Sequence, residues 1–284
     1  MSTRELRQII KSVGTSDGAG VKLQRSLGNT QRHDPFLMLD EFSSENPGDY
    51  IAGFPSHPHR GFETVTYLLD GHMLHEDHLG NRGDLKSGGV QWMTAGRGII
   101  HSEMPQQLEG RMRGFQLWIN LPAREKMKAA GYRDIEPADI PAVDIQGGGR
   151  AKVIAGGIET GGKRVQGPIH GGSTDPLYVD IELPPNGAVS LPVAPDHNAF
   201  IYAYEGALSV GEGSDGRPLE NRSAGLLSAG DSVRVQAGAE GARFLLLAGK
   251  PLREPIVQYG PFVMNTREEI EQAIRDYQEG VLAA

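Results

Sequence analysis

Short strand-forming runs separated by turn residues occupy almost the whole chain and limit the folds open to it. Residues 62–69 are rich in β-branched and aromatic side chains and end at the hairpin signal Asp70-Gly71. Glycine (39 residues) and proline (18 residues) are abundant. Similar runs occur at residues 90–93, 114–120, 177–183, 200–204, 232–235 and 243–248. Many short strands at even spacing predict an all-β sandwich or barrel.

Helical patterns are scarce. The clearest predicted helix lies near the C-terminus, where Thr266 is a good N-cap and Glu268 and Glu269 follow in the first turn. A second short helix is predicted for residues 123–130. Helix therefore contributes little to the predicted fold.

The sequence divides into two similar halves. Residues 134–149 are rich in Pro, Asp and Gly, contain no strong strand run, and are interpreted as a linker. Residues 68–71 (LLDG) and 203–206 (AYEG) each follow a β-rich run, a weak repeat that indicates a duplicated barrel. We predict an N-terminal domain of residues 1–136 and a C-terminal domain of residues 137–284 that includes the C-terminal helix.

Composition excludes several function classes. The formal net charge is −8 and the pI is near 5.6, so the surface repels phosphate backbones and direct nucleic-acid binding is disfavoured. The chain has no cysteine, which excludes disulfides, thiolate metal ligands and cysteine nucleophiles. Residues 1–7 lead into no apolar signal-peptide core, and no apolar run reaches the length of a membrane span. We expect a cytoplasmic protein without a membrane partner.

Two pairs of metal-ligand residue types recur at a spacing of two. In His57-Pro58-His59 the two imidazoles point to the same side of a strand, because side chains alternate along β-structure. His101-Ser102-Glu103 repeats this spacing with an imidazole and a carboxylate. If the two strands face each other, four ligands converge on one ion. Imidazole with carboxylate suits Fe(II), Mn, Ni, Cu or Zn.

Other polar residues compete for a role in this site. Glu63 shares a face with the first histidine pair by strand parity, so it is a rival carboxylate; the alternative is a structural hydrogen-bonding residue. His75, Asp77 and His78 also form a cluster in sequence. Because residues 80–81 (GN) mark a loop tip, we interpret that cluster as a solvated hairpin end whose acceptors bind backbone N–H groups.

Two long segments resemble the signature of the pirin family, within the cupin superfamily. They are residues 57–67 (HPHRGFETVTY) and 91–103 (QWMTAGRGIIHSE). Shorter segments that also resemble it are residues 36–42, 114–118, 251–256 and 260–266. The resemblance covers essentially the whole chain from about residue 36. It implies a bicupin: two β-barrel (jelly-roll) domains in one chain, with a short C-terminal helix.

The resemblance also implies the ligand set and the metal. Pirins bind iron in the N-terminal barrel through two histidines of the first motif and a histidine and a glutamate of the second. Carried over, the ligands are His57, His59, His101 and Glu103, and the carboxylate is Glu103 rather than Glu63. One Fe(II) per chain is therefore the expected cofactor, with other divalent transition metals possible.

The second half lacks these ligand types. When the halves are aligned on their hairpin glycines, Pro192, Ala194 and Asn198 lie opposite the first histidine pair and Glu63. Residues 238–241 offer no histidine to match the one in the second pair. We predict a metal-free barrel that serves stability, oligomerisation or partner binding.

Four protein ligands on a six-coordinate iron leave two positions for a chelating substrate, water or dioxygen. Phe54, Trp92, Met93 and Trp118 are candidate walls of a pocket for a flat aromatic ligand, although most are expected in the barrel core. Gln116 is more informative, because a polar side chain that faces a barrel lumen needs a partner.

The resemblance implies two functions of different classes. The first is a quercetin 2,3-dioxygenase-like enzyme that acts on a flavonol such as quercetin with dioxygen. In that reading Glu103 is the catalytic residue and accepts the proton of the 3-hydroxyl group. The alternative is a non-catalytic redox-sensing regulator that binds a transcription factor or a metabolic enzyme. Both need the same ligands, and we favour the enzyme as the in vitro activity.

Overall fold

The computed structural model describes residues 2–28, 32–213 and 216–283. Their contacts form two compact units. The first unit contains the described residues of Val13–Arg32, Phe36–Pro137 and Leu252–Ala284; the second contains those of Met1–Ser12, His33–Pro35 and Ala138–Pro251. The N-terminal segment thus belongs to the second unit, which is formed mainly by the second half of the sequence. The C-terminal segment belongs to the first unit. The domain boundary between residues 136 and 137 stays a prediction.

The first unit is a β-structure with one α-helix at its C-terminal end. Its elements are β2 (Val13–Asp17), β3 (Val21–Leu27), β4 (Phe36–Ser44), β5 (Phe54–His59), β6 (Phe62–Asp70), β7 (His72–Asp77), β8 (Arg82–Lys86), β9 (Val90–Thr94), β10 (Ile99–Pro105), β11 (Met112–Asn120), β12 (Gly131–Ile135), β23 (Val257–Tyr259), β24 (Phe262–Met264) and α1 (Arg267–Gln278). Seven strands form a sheet in the order β12-β9-β6-β11-β4-β3-β2. A second sheet has the order β5-β10-β7-β8, and β23 pairs with β24.

The second unit is also built of antiparallel strands. They are β1 (Leu6–Lys11), β13 (Ala142–Ile145), β14 (Gly149–Ala155), β15 (Gly157–Thr160), β16 (Lys163–Gln166), β17 (Leu177–Leu183), β18 (Ala188–Pro192), β19 (Asn198–Val210), β20 (Arg217–Leu219), β21 (Ser223–Leu227) and β22 (Ser232–Gly249). The main sheet has the order β1-β21-β19-β22-β17-β14-β13, with β18 on β22 and β20 on β19. The all-β bicupin prediction is confirmed.

The core of the second unit is apolar. Val179, Ile201, Phe244 and Leu246 belong to one cluster of fully buried side chains. Of the three positions aligned with His57, His59 and Glu63, Pro192 and Ala194 are exposed, and Asn198 Nδ2 donates a hydrogen bond of 2.7 Å to Asp34 O. That this barrel binds no metal stays a prediction.

Two local predictions are wrong. The proposed linker contains β13, which pairs with β14 across a turn at Gly147 and Gly148; both glycines have positive φ (85° and 77°), which favours glycine. The predicted helix at residues 123–130 is a single 3₁₀ turn, Ala123–Glu125. The chain does not continue as a helix because the side chain of Lys126 turns inward to buried acceptors.

The predicted C-terminal helix is confirmed. Thr266 Oγ1 accepts a hydrogen bond from Glu269 N, and the Glu269 carboxylate accepts one from Thr266 N, which completes a capping box. Ile270 and Ala273 are buried against Phe262 and its neighbours, so α1 packs within the first unit. None of the helices in the described segments is long and apolar enough to cross a membrane.

A buried lysine ties the C-terminal segment to the strands of the first unit. Lys126 is 1% exposed, and its Nζ donates to Gly61 O (2.7 Å), Asn120 Oδ1 (2.7 Å) and Val263 O (2.9 Å). Gly61 has φ +92°, and a Cβ atom there would lie 2.0 Å from Val263 O. The two segments can therefore approach this closely only with glycine at position 61.

We expect Lys126→Met to destabilise the protein by about 3 kcal/mol or more, because the substitution leaves three buried oxygen acceptors without their donor. Chemical denaturation with a two-state fit measures the difference. Lys86→Met is the matched control, since the Lys86 side chain is 61% exposed and pairs with the exposed Asp84; it should change stability little. Equal effects of the two substitutions would contradict this role of Lys126.

Candidate metal centre

Two paired strands bring three histidines together. β5 and β10 are antiparallel, and His57 lies directly opposite His101 in their register. His59 points to the same side as His57 because it is two residues further along β5. The ligand nitrogens of His57, His59 and His101 all lie within 4.8 Å of one another. The sequence spacing therefore predicted the approach of these three imidazoles.

Hydrogen bonds fix the tautomers of the first histidine pair. His57 Nδ1 lies 2.8 Å from Pro55 O, and His59 Nδ1 lies 3.4 Å from Pro261 O. A carbonyl oxygen can only accept, so this network assigns the ring proton to Nδ1 and leaves a lone pair on Nε2. The two Nε2 atoms are 3.0 Å apart. Two lone pairs at this distance repel each other unless a cation lies near both.

His101 supplies a third nitrogen of the same kind. It is 1% exposed, and its Nδ1 lies 3.2 Å from His75 Nε2. Its Nε2 is buried and has no hydrogen-bond partner among the residues that the structure describes. Burial lowers the pKa of both His59 and His101 well below that of a free imidazole, so both rings are neutral, as metal ligands must be. This donor set fits a transition metal.

Glu103 also lies beside the cavity, where hydrogen bonds hold its carboxylate. It is 4% exposed, and its carboxylate accepts a hydrogen bond from Thr66 Oγ1 (3.0 Å) and one from Gln116 Nε2 (3.4 Å). It lines one cavity together with His57 and His59, but it is not part of the three-histidine cluster. The prediction that Gln116 needs a polar partner is confirmed. The complete four-ligand set stays a prediction.

The rival carboxylate has other partners. Glu63 accepts hydrogen bonds from Trp92 Nε1 (3.2 Å) and Thr94 Oγ1 (2.7 Å), and Lys128 Nζ lies 3.5 Å away. The parity argument that placed Glu63 beside the histidines is wrong, because β5 ends at His59 and β6 begins only at Phe62. Alternation does not carry across that break.

Sequence reasoning missed His75. Asp77 does accept backbone N–H groups, those of Leu79 and Asn81, as expected for a hairpin end. His75 is only 2% exposed, however, and its ring contacts His101 with a centroid distance of 4.6 Å. Alternation along β7 gave no usable signal, because Met73, Leu74 and His75 are all buried.

One cavity of about 720 Å³ opens beside these residues. Of the four predicted wall residues, Phe54 and Trp118 line it. Trp92 bonds Glu63 instead, and Met93 packs in a separate cluster. The residues that line the cavity also include Asp17, Arg25, Met38, Asp40, Phe42, Thr66 and Gln116.

Two cupin units in one chain, with a cluster of three histidines in one of them of which two are buried, define a bicupin with a candidate metal site. Family models described as "Pirin" and "Pirin C-terminal cupin domain" match residues 20–119 and 178–283. The chain belongs to the pirin family.

Individual relatives agree with this assignment. A Pseudomonas aeruginosa protein named "Putative quercetin 2,3-dioxygenase" is 58% identical over 99% of this chain and 98% of its own length. Human pirin is 41% identical over 97% of this chain and 93% of its own length. A crystal structure of quercetin 2,3-dioxygenase from Acinetobacter baumannii superimposes with a TM-score of 0.89 at 34% identity, covering 100% of this chain and 99% of that one.

His75 offers a test of how the cluster is held. We expect His75→Leu to weaken binding of a divalent metal about tenfold to hundredfold, because His101 Nδ1 loses the partner that orients its ring. Calorimetric titration of the apoprotein with Zn(II) measures the affinity. His75→Asn, whose amide oxygen can still accept from Nδ1, should recover part of the loss.

The control for that test is His72→Leu, which removes the partly exposed histidine at the start of the same strand. It should bind Zn(II) like the wild type. If His75→Leu binds equally well, His75 contributes packing only.

Proposed function

We propose that this protein is an iron-dependent dioxygenase of the quercetin 2,3-dioxygenase type. In this proposal His57, His59, His101 and Glu103 hold one Fe(II), and a flavonol such as quercetin reacts with dioxygen beside it. The observation that carries the proposal is the convergence of the ligand nitrogens of three histidines, two of which, His57 and His59, line a cavity of about 720 Å³. The names of the relatives support the same reaction class.

The donor set favours iron without excluding neighbouring metals. Neutral imidazoles and a carboxylate suit Fe(II), and no cysteine is present to select a softer ion. When bound, iron supplies the one-electron chemistry with dioxygen that side chains cannot perform. The chain itself would hold the metal and orient the substrate in the cavity, and the residues for both lie among those that the structure describes.

The cavity suits a flat aromatic molecule. Phe42, Phe54 and Trp118 offer apolar ring faces, and Met38 adds a flexible apolar wall. The polar side chains of the cavity lie between these apolar side chains and do not form a ring outside them. An apolar cavity with a few placed polar groups is the usual form of a small-molecule site.

Glu103 is positioned to move a proton. Thr66 and Gln116 bind its carboxylate, so the side chain is oriented before any ligand enters. In the proposed reaction one carboxylate oxygen accepts the proton of the flavonol 3-hydroxyl group, which makes the flavonol an anion and the glutamate an acid. Glu103 is only 4% exposed, which limits the access of water that would compete for that proton.

The carboxylate assignment has a direct test. Purified protein reconstituted with Fe(II) should contain about one iron per chain by elemental analysis. Glu103→Gln should lose most of this iron, since a neutral amide is a weaker ligand than a carboxylate. Glu63→Gln is the matched control and should retain it. Iron loss from Glu63→Gln alone would show that the carboxylate assignment is wrong.

Turnover is tested with quercetin in air. The Fe(II)-loaded protein should bleach the flavonol absorbance, consume dioxygen and release carbon monoxide, because the site brings both reactants together and removes most of the entropic cost of their meeting. His101→Ala and the metal-stripped protein should not exceed the background. Free Fe(II) at equal concentration sets that background, since it oxidises flavonols slowly.

A rate equal to that of free iron would show that the catalytic proposal is wrong. The redox-sensing regulator would then lead. Its own test is a comparison of the Fe(II) and Fe(III) forms for a protein partner that binds only one of them.

A further inference from the structure

A row of polar side chains crosses the floor of the cavity. Register pairs link it strand by strand: Arg25 on β3 lies opposite Asp40 on β4, Asp40 opposite Gln116 on β11, and Gln116 opposite Thr66 on β6. All four side chains line the cavity. We call these four residues the polar row.

The two ends of the polar row have different neighbours. At one end, Thr66 and Gln116 bind the Glu103 carboxylate, beside the histidines. At the other end stands Arg25, two strands beyond Gln116. Because neighbouring strands are about 4.8 Å apart, Arg25 lies on the order of 10 Å from Gln116. That span is comparable with the long axis of a three-ring flavonol.

The far end carries a compact charged group. Arg25 Nε donates to Asp40 Oδ1 (2.8 Å), and one Nη donates to Asp40 Oδ2 (2.6 Å) and to Asp17 Oδ2 (3.1 Å). These bonds use three of the five N–H groups of Arg25, and each carboxylate keeps lone pairs for further donors. Asp40 is 2% exposed, whereas the Asp17 side chain is 56% exposed. The group has two negative charges and one positive charge.

Apolar side chains border the polar row on both sides. Trp118 and Met38 are register partners on one side, and the Trp118 indole N–H is buried with no hydrogen-bond partner among the described residues. On the other side Phe42 lies opposite Gly114, where a Cβ atom would come within 2.6 Å of Phe42 Cζ. The floor is thus a polar strip between apolar edges, which matches a planar ring system with hydroxyl groups on its rim.

We propose that Arg25, Asp40 and Asp17 form a recognition subsite for the hydroxyl groups on the ring of the substrate that is remote from the metal. This inference rests on the proposed function and adds the residues that would select among flavonols by the hydroxyl groups on that ring. Phenolic hydroxyls donate to the carboxylates and accept from the guanidinium. A carboxylate on that ring would meet a group of net charge −1 and is disfavoured.

The test uses two flavonols that differ by one hydroxyl group. Galangin has no hydroxyl on its pendant phenyl ring, which is the remote ring here, and kaempferol has one. Neither has a catechol that would compete for the metal. Protein loaded with redox-inert Zn(II) is titrated with each, and the shift of the flavonol absorbance band gives the dissociation constant. We expect wild-type protein to bind kaempferol about tenfold more tightly, the value of one hydrogen bond to a charged group.

Variants assign that difference to the subsite. The double variant Arg25→Gln, Asp40→Asn should lose the preference for kaempferol over galangin. Asp17→Asn should reduce the preference and is not at risk of unfolding, because its side chain is largely exposed. Arg111→Gln is the matched control, since Arg111 pairs with Asp70 at 3.5 Å outside the cavity, and it should keep the full preference.

The outcomes separate the two proposals. If wild-type protein binds both flavonols equally, the subsite is wrong while flavonol binding stands. If the Arg111→Gln control loses the preference as the double variant does, the effect is not local and the subsite is again wrong. If neither flavonol binds the metal-loaded protein, the proposed function itself fails. Measurement on the wild type does not depend on the folding of any variant.

Discussion

The whole site depends on where three imidazole rings carry their protons. His57 and His59 each direct Nδ1 to a backbone carbonyl, which leaves their Nε2 atoms bare, and His101 directs Nδ1 to His75 and keeps its buried Nε2 beside them. Without a cation, the lone pairs of His57 and His59 meet at 3.0 Å, and His101 Nε2 has no hydrogen-bond partner among the described residues. Such an arrangement costs free energy, and a metal bound by these nitrogens would offset that cost.

The need for a carbonyl acceptor at His59 Nδ1 explains why the first unit includes the C-terminal segment. The acceptor for His59 Nδ1 is Pro261 O, 202 residues away in sequence. Arg60, the next residue after His59, donates to Asp276 Oδ2 (2.7 Å) and to Leu282 O (3.0 Å), and Lys126 holds Val263 O. Both cations are buried, and removing one partner of a buried charge costs several times more than removing a surface pair. The segment is therefore part of the site.

The sequence predicted the positions of residues that follow from alternation along a strand. It missed those whose contacts come from distant parts of the chain. His57, His59 and His101 converge because alternation and one cross-strand pairing suffice to bring them together. Glu63 was misplaced because a two-residue break after His59 interrupts the alternation. His75 was misread because its burial depends on β10, and Pro261 carried no sign that its carbonyl bonds a histidine. No periodicity within one segment encodes contacts of that kind.

The enzyme and the redox-sensing regulator need the same metal ligands but differ in the cavity that they need. A redox-sensing regulator needs a surface that changes with the metal's charge, and an interior filled with apolar side chains would serve it as well. An enzyme needs room and orienting groups beside the metal. The first unit has both: a cavity of about 720 Å³, and a floor on which Asp40 is held in a two-point pair with Arg25 although it is almost fully buried. Burial raises the pKa of Asp40, and its partner favours the charged form. Because taking a carboxylate out of water costs free energy, the place of Asp40 on the cavity floor is better explained by a ligand than by the fold, which supports the proposed enzyme over the regulator.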